Sequence, residues 1–260
     1  MSLLVSIILF CLLGGVLSVL AAAVFLLLPP ARRAIMLPHL VSFATGALLG
    51  AAFMGLLPEA LKGGGGAGTE AITATVLGGL LLFFILEKLV IWRHCHHSNC
   101  EGHAPEVHNA RQRATGLLII LGDGIHNFVD GVLIGATFLT DFRLGVLTAL
   151  AVAAHEIPQE LGDFAILLNS GFGRGQAFLW NMISSLTTIF GGLLTWASLS
   201  RSSAVLPYLI AVAVASFIYI AVADLIPGLH ERTSPRESSQ QVLLIALGIA
   251  TIAAAEAVLH

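Results

Sequence analysis

Charged residues are scarce in this chain of 260 residues. They make up 10% of it, whereas a soluble globular domain carries about 25%. Hydrophobic residues make up 57%, and the mean hydropathy is +0.93. This composition excludes an ordinary soluble domain. It predicts an all-α, multi-pass membrane protein, with residues 1–260 forming one domain in the lipid bilayer.

Positive charge and cysteine are also in short supply. The net charge is -3, so we expect no nucleic-acid partner. The three cysteines, at positions 11, 95 and 100, are too few and too scattered for a disulfide framework. No basic segment precedes the first apolar run, which we therefore interpret as a retained transmembrane helix and not as a cleaved signal.

Eight apolar stretches are long enough to cross a membrane, which takes about 20 residues. We number them as spans 1 to 8. They are Leu3–Leu28, Pro38–Leu61, Ala71–Trp92, Thr115–Leu139, Leu144–Leu168, Ala177–Leu199, Ala204–Leu229 and Val242–Leu259.

Basic residues predict the orientation, because they accumulate on the cytoplasmic side. Nine of the 12 lie at the loops that join spans 1–2, 3–4, 5–6 and 7–8. We therefore expect both termini outside and loop 3–4 in the cytosol. The plasma membrane or an inner membrane fits this orientation, and so does an organelle membrane with the termini in the lumen.

An internal repeat is indicated by the ends of spans 2 and 7. Span 2 ends Leu56-Leu57-Pro58, and span 7 ends Leu225-Ile226-Pro227. With eight spans these two helices run in opposite directions. The pattern is typical of an inverted repeat, here of helices 1–3 and 6–8 around helices 4–5. The alternative is that each proline only marks the end of a helix.

Two polar stretches interrupt spans 4 and 5. On span 4 the spacing i, i+3, i+4, i+7 places Asp123, His126, Asn127 and Asp130 on one face of a helix. On span 5, His155 and Gln159 are i, i+4 neighbours, and beside them lie Glu156, Glu160 and Asp163. Charged groups in a bilayer are costly, each by about 2.5–3.5 kcal/mol on insertion scales, so such a cluster indicates a function.

The side-chain types predict a site for a divalent transition metal. Imidazole and carboxylate together favour Zn²⁺, with Fe²⁺, Mn²⁺ or Cd²⁺ as further candidates. Pro158 removes one helical hydrogen bond and leaves the Ala154 carbonyl free. The alternative is a purely structural role, in which a polar network only holds spans 4 and 5 together.

An enzyme is the competing class of function. His155-Glu156 resembles the start of the HExxH helix of zinc metalloproteases. The second histidine would stand at position 159, where this chain has Gln, so an intramembrane protease is disfavoured. We expect no enzyme and no catalytic cofactor. A channel or a metal sensor is a third interpretation.

The two polar motifs resemble a known family. HNFVDG at 126–131 and HEIPQELGDFAIL at 155–167 are similar to helices 4 and 5 of the ZIP (Zrt/Irt-like) metal-ion transporters, particularly the subfamily with the signature HExPHELGD. The resemblance covers the whole chain. It implies transport of zinc or a related ion towards the cytosol, an inverted repeat, and a homodimer in which one helix bundle moves past the other.

The resemblance also implies metal ligands, taken over by position. One site would use His126, Asp130, His155 and Gln159. A neighbouring site would use Asn127 and Glu156, and would share Asp130 and Gln159.

Three departures from the family pattern stand out. Gln159 replaces a histidine of the subfamily. On span 2, Ala51 and Gly55 stand where the family pattern GALLGDAFLHLLPEA has Asp and His. On span 6, Thr187 stands where some relatives have a carboxylate, which puts a full second metal site in doubt.

Further residues are candidates for the transport pathway or for metal capture. Beside the ligands, the pathway candidates are Asp123, Glu160, Asp163, His230 and Glu231. A His-rich cytosolic loop at about 93–113 would capture metal, because clustered His and Cys bind metal ions; the alternative is a solvated loop without that role. Its candidate ligands are His94, Cys95, His96, His97, Cys100 and His103.

Overall fold

The computed structural model describes residues 2–63, 68–95, 105–199, 204–230 and 234–259, and this part of the chain is almost entirely helical. All eight predicted spans are present as helices, which confirms the all-α architecture. Spans 3, 4, 5 and 8 are continuous: Gly68–Cys95, Pro105–Thr140, Phe142–Asn169 and Pro235–Leu259. Spans 1, 2, 6 and 7 are interrupted: Leu3–Gly14 with Val16–Phe25, Pro30–Gly50 with Ala51–Leu56 and Leu57–Gly63, Arg174–Ser185 with Thr187–Leu199, and Leu206–Tyr219 with Ile220–Leu225 and Ile226–His230.

Seven of the spans are long and apolar enough to cross a membrane among the described residues. The exception is span 5, because its ionisable side chains between positions 155 and 163 lower the mean hydropathy of the helix. The chain is thus a multi-pass integral membrane protein in which span 5 carries ionisable side chains in its middle.

Span 4 begins earlier than predicted. Its helix starts at Pro105, whereas the apolar stretch starts at Thr115. The second half of the predicted loop 93–113 is therefore helical. A polar sequence can continue a helix beyond the apolar part of a span, so hydropathy alone does not locate this boundary.

Local hydrogen bonds and a glycine define both ends of span 5 and the turn that leads into span 6. Asp141 caps the start of span 5 by accepting hydrogen bonds from the amides of Arg143 (2.8 Å) and Leu144 (3.4 Å). At the other end Gly171 has a φ of +84°, which favours glycine. The Phe172 amide donates to the Leu167 carbonyl at 3.1 Å, closing a Schellman turn. This tight turn sets spans 5 and 6 side by side.

The spans pack mainly in two groups of four. Spans 1, 4, 5 and 6 form the first group, and spans 2, 3, 7 and 8 form the second. Between the groups, span 2 packs against span 5, and span 7 packs against span 4. The predicted inverted repeat pairs span 1 with 6, span 2 with 7, span 3 with 8 and span 4 with 5. This pairing maps each group of four helices onto itself.

The interruptions of the helices follow the same pairing. Spans 1 and 6 each consist of a first helix of 12 residues, a break of one residue, and a second helix. Spans 2 and 7 each contain a π-helical segment of six residues, Ala51–Leu56 and Ile220–Leu225. Both segments end two residues before the proline of the predicted repeat, Pro58 or Pro227. This agreement supports the inverted repeat. It argues against the alternative that each proline only marks the end of a helix, because both helices continue beyond the proline.

The π segments have a physical cause in those prolines. In a regular α-helix a proline ring clashes with the carbonyl four residues back. A wider π turn before the proline is one way in which a helix accommodates it without ending. The Leu57 amide bonds to the Ala52 carbonyl and the Ile226 amide to the Ala221 carbonyl, in both cases five residues back.

Glycines bring two pairs of spans into backbone contact. A Cβ on Gly131 of span 4 would collide with the Thr188 carbonyl of span 6, and one on Gly191 with the Phe128 carbonyl. Spans 2 and 8 meet in the same way, as Gly46 faces Ile245 and Gly248 faces Phe43. Without a hydrophobic force between helices in lipid, such close packing is a main source of association. Gly46 thus permits close packing of spans 2 and 8.

Gly131→Ala should destabilise the protein by about 3 kcal/mol, the upper part of the range for overpacking, because the added methyl group meets backbone and not a movable side chain. Thermal unfolding in detergent measures this. Gly122→Ala on the same helix is the matched control, since nothing lies within 4 Å of a Cβ there. Equal stability of the two variants would show that spans 4 and 6 do not pack as described.

Candidate metal centre

The polar faces of spans 4 and 5 meet inside the first group of helices. Asp130, His155 and Glu156 are fully buried, and His126 is partly exposed. The spacing on span 4 brings these side chains to the partner helix, as predicted. Glycines at 122, 124 and 131 leave these positions of span 4 without a side chain. At Gly131 the backbone of span 4 consequently lies against the backbone of span 6.

Four side chains form a compact cluster. The two Nε2 atoms of His126 and His155 are 3.3 Å apart. His155 Nε2 lies 3.2 Å from Asp130 Oδ2 and 3.8 Å from Glu156 Oε1. His126 Nε2 lies 3.3 Å from Glu156 Oε1 and 3.8 Å from Asp130 Oδ2. The sequence predicted all four residues as metal ligands, and the structure brings all four together.

These separations match a tetrahedral ion. Zinc bonds to nitrogen and oxygen of about 2.0–2.2 Å place tetrahedral ligand atoms about 3.3–3.6 Å apart. The five measured separations run from 3.2 to 3.8 Å. Two neutral imidazoles and two carboxylates would also balance the charge of a dication.

The tautomer of His155 leaves its Nε2 atom free for a metal. Its Nδ1 lies 3.0 Å from the Ala151 carbonyl oxygen, which can only accept, so the ring proton belongs on Nδ1. The lone pair on Nε2 then points to the cluster. A hydrogen bond of this kind on the far ring nitrogen is typical of histidines that bind metals.

The carboxylates of the cluster lack hydrogen-bond donors. Neither oxygen of Asp130 and neither oxygen of Glu156 has a hydrogen-bond partner, although all four are buried. With its proton on Nδ1, His155 brings the lone pair of Nε2 to within 3.2 Å of Asp130 Oδ2. Such a contact is unfavourable unless a cation or a proton lies between the two atoms. The polar network expected from a merely structural role would satisfy these atoms with hydrogen bonds.

Both polar atoms of the Asn127 side-chain amide form hydrogen bonds outside the four-residue cluster. Its Nδ2 donates to Asp123 Oδ1 at 2.8 Å, and its Oδ1 accepts from the Thr188 hydroxyl at 2.9 Å. The Ser184 hydroxyl donates to the other oxygen of Asp123. Span 6 thus braces the polar face of span 4. The role of Asn127 as a ligand stays a prediction.

The sequence reasoning missed this bracing by span 6. Asn181, Ser184 and Thr188 recur at i, i+3 and i+7, and all three are buried. That spacing is a helical polar face and was the available signal. Thr187, which occupies the position of a carboxylate in some relatives, donates its hydroxyl to the Gly124 carbonyl at 2.7 Å. It contributes to the contact between spans 4 and 6.

A second group of oxygen ligands adjoins the first. Asp123, Glu156 and Glu160 each offer an oxygen atom, and these atoms lie within 4.8 Å of one another. Glu156 belongs to both groups. The neighbouring site that the resemblance implies, with Asn127, Glu156, Asp130 and Gln159, stays a prediction.

The remaining candidates are more dispersed. Gln159 and Asp163 are partly exposed on span 5, and His230 is exposed at the end of span 7. Glu231 lies outside the described residues, and so do the loop residues His96, His97, Cys100 and His103. His94 and Cys95 fall in the last turn of the span 3 helix. Their predicted roles in the pathway and in metal capture stay predictions.

Thr188→Val should destabilise the protein by about 1–3 kcal/mol, because the buried Asn127 amide oxygen loses its donor. Thr195→Val is the matched control: Thr195 is also buried on span 6, but its hydroxyl bonds only within that helix, to the Gly191 carbonyl at 2.9 Å. Thermal unfolding compares the two. Equal losses would mean that Thr188 does not brace Asn127 from span 6.

Comparison with known proteins agrees with the geometry of the cluster. A sequence profile described as ZIP Zinc transporter matches residues 92–256, which include both polar faces. The chain is 34% identical over 229 residues to Zinc transporter ZIP13 of Pongo abelii, covering 82% of this chain and 65% of the relative. It is 32% identical over 265 residues to Zinc transporter ZIP13 of Danio rerio, covering 84% and 75%.

A third relative matches more strongly over a shorter region. Zinc transporter ZIP4 of Homo sapiens is 42% identical over 119 residues, which are 46% of this chain and 18% of that protein. The chain thus spans between about two thirds and three quarters of the two ZIP13 relatives, and a much smaller part of this one. The profile and the relatives, together with the paired polar faces, show that this chain belongs to the ZIP zinc transporter family.

Proposed function

We propose that the chain transports Zn²⁺, or a related divalent ion such as Fe²⁺, Mn²⁺ or Cd²⁺, across a membrane towards the cytosol. The observation that carries this proposal is the buried cluster of His126, Asp130, His155 and Glu156 with unpaired carboxylate oxygens. Buried charges without partners are expensive inside a membrane, so a passing cation is the natural counter-charge. The zinc-transporter names of the relatives point to the same ion.

Alternating access fits the arrangement of the two helix groups. The cluster lies wholly in the first group, and Phe217 of the second group is buried against His155, with ring centroids 6.2 Å apart. A shift of one group relative to the other would move Phe217 off the cluster. We propose such a shift as the basis of a carrier mechanism.

A protease is a poor alternative for this site. The helix carries Gln159 one turn beyond His155, and the third and fourth groups of the cluster come from span 4. A catalytic zinc site keeps three protein ligands and an open position for water. Here four protein groups surround the centre. We therefore propose transport without enzymatic activity.

Homodimer formation is proposed from the family resemblance and from exposure. Spans 3 and 8 are only 11% buried over their most apolar windows. They present large apolar faces that must meet lipid or a second copy of the chain. Light scattering of the protein in detergent measures its mass, and the mass of a single chain would contradict the dimer.

The orientation follows from the basic residues. A compartment-sensitive reporter fused after residue 260 should be active on the side opposite to the cytosol, because nine of the 12 basic residues flank the loops assigned to the cytosol. The same reporter inserted in loop 3–4 is the control and should show the reverse. Activity of the C-terminal fusion in the cytosol would contradict the proposed topology.

His155→Ala and Asp130→Ala should each abolish zinc uptake into proteoliposomes, because each removes one of four ligands and leaves the other groups unbalanced. Glu70→Gln is the control, since Glu70 is an exposed carboxylate in the first turn of span 3. Competition by iron, manganese and cadmium in the same assay gives the selectivity. Uptake at the wild-type rate in both site variants would defeat the assignment of the site.

A further inference from the structure

A groove runs between spans 4 and 6 on the surface of the first helix group. Its volume is about 670 Å³, well inside the range of about 300–1,000 Å³ that is typical of ligand pockets. Span 4 lines it from Leu117 to Phe128, and span 6 from Ile183 to Phe190. Leu117 and Phe190 are more than half exposed, so the groove opens to the surroundings of the protein.

The floor of the groove offers an occupant almost no hydrogen bonds. Gly124 has no side chain, and the nearest atom to a Cβ at this position would be the Ser184 Cβ, at 3.8 Å. The Thr187 hydroxyl donates to the Gly124 carbonyl at 2.7 Å, and the Ser184 hydroxyl donates to Asp123. Because both hydroxyl protons are used within the protein, the groove suits an apolar occupant.

The length of the groove matches one leaflet of a bilayer. Span 4 rises about 16 Å from Leu117 to Phe128, at about 1.5 Å per residue. This is about half of the hydrocarbon core of about 30 Å. The rings of Phe128 and Phe190 lie 6.1 Å apart at the end of the groove. Both residues stand near the middle of their predicted spans, Thr115–Leu139 and Ala177–Leu199. The groove therefore runs from the membrane surface to the midplane, as one acyl chain does.

Positive charge lies at the surface end of the groove. Arg111 and Arg113 stand six and four residues before Leu117 in the helix of span 4. The sequence has no Asp or Glu from position 107 to 122, so no acid in this part of the helix offsets them. Basic residues at a membrane surface attract anionic lipid headgroups. The charge at this end is thus complementary to a phospholipid headgroup with a net negative charge.

We propose that the groove between spans 4 and 6 binds one anionic phospholipid, with one acyl chain along the groove and the headgroup at the level of Arg111 and Arg113. A concave surface contacts a single chain on several sides, and the many weak contacts add up to retention. The bound chain lies over Ser184 and Thr187, which join span 6 to span 4. It therefore supports this contact from the lipid side. The lipid site does not depend on the proposed transport function, because the metal cluster is not part of the groove.

Native mass spectrometry of the purified full chain in detergent tests the site. The probes are phosphatidylglycerol and phosphatidylcholine with identical palmitoyl and oleoyl chains, which differ in headgroup charge. The wild type should retain one phosphatidylglycerol molecule per chain. It should bind this lipid at least about fivefold more tightly than phosphatidylcholine, which is the effect of one basic residue near an anionic membrane surface.

A filled groove should no longer hold an acyl chain. Gly124→Leu should lose both lipids, because the leucine side chain occupies the space above the floor. Gly122→Leu is the matched control on the same helix, since nothing lies within 4 Å of a Cβ there and Gly122 does not line the groove. This variant should retain the lipid like the wild type. Elution by size exclusion checks the folding of both variants.

The headgroup preference should depend on the two arginines. The double variant Arg111→Gln, Arg113→Gln should still bind both lipids but no longer favour phosphatidylglycerol. Arg236→Gln is its control, because Arg236 is an exposed basic residue at the start of span 8, in the second helix group. This control should keep the preference of the wild type.

Three outcomes would overturn the lipid site. The first is a wild type that retains no phospholipid, and the second is equal retention by Gly124→Leu and Gly122→Leu. The third is a Gly124→Leu variant whose mass falls to that of a single chain while its bound lipid stays unchanged, which would make the groove a contact between two copies of the chain. A preference for phosphatidylglycerol that survives the loss of both arginines would refute their role at the headgroup.

Discussion

Unpaired negative charge inside a membrane is the constraint on which this structure depends. Asp130, Glu156 and Glu160 are fully buried, and their carboxylate oxygens have no hydrogen-bond donors. Lipid offers no water to solvate them, and spans 4 and 5 offer no basic side chain between residues 114 and 142 or 144 and 173. Buried carboxylates of this kind are costly unless a cation or a proton neutralises their charge. Any cation that binds here would therefore also stabilise the fold.

The packing of the surrounding helices follows from that constraint. Span 5 carries His155, Glu156, Glu160 and Asp163 in its middle, so this part of the helix must be enclosed by protein. Spans 1, 4 and 6 do this on one side and span 2 on another. Gly131 and Gly191 let the backbones of spans 4 and 6 touch, which brings Ser184 and Thr188 within reach of Asp123 and Asn127.

Much of this could be predicted from residue types and spacing. Long apolar runs gave eight spans, and the i, i+3, i+4, i+7 pattern placed His126 and Asp130 opposite His155 and Glu156. The bracing from span 6 could not be found in this way, because Ser and Thr commonly bond to their own helix and only the fold shows which ones reach another. The π segments were missed since a proline predicts a disturbed helix but not its form, and the early start at Pro105 was missed since hydropathy does not report on helix outside lipid.

The inverted repeat also relates the contacts between the two helix groups to each other. Pairing spans 1 with 6, 2 with 7, 3 with 8 and 4 with 5 leaves each group unchanged but exchanges the two largest contacts between them, span 2 on span 5 and span 7 on span 4. In the alternating access proposed above, an exchange of detailed packing between these contacts would open the path on the other side of the membrane at little cost, because the same kinds of contact are made. The π segments lie in spans 2 and 7, the helices that make these contacts, and a π turn is a place where helical packing can readjust. The exchange is not perfectly symmetric, since Gly55 in one segment corresponds to Asp224 in the other.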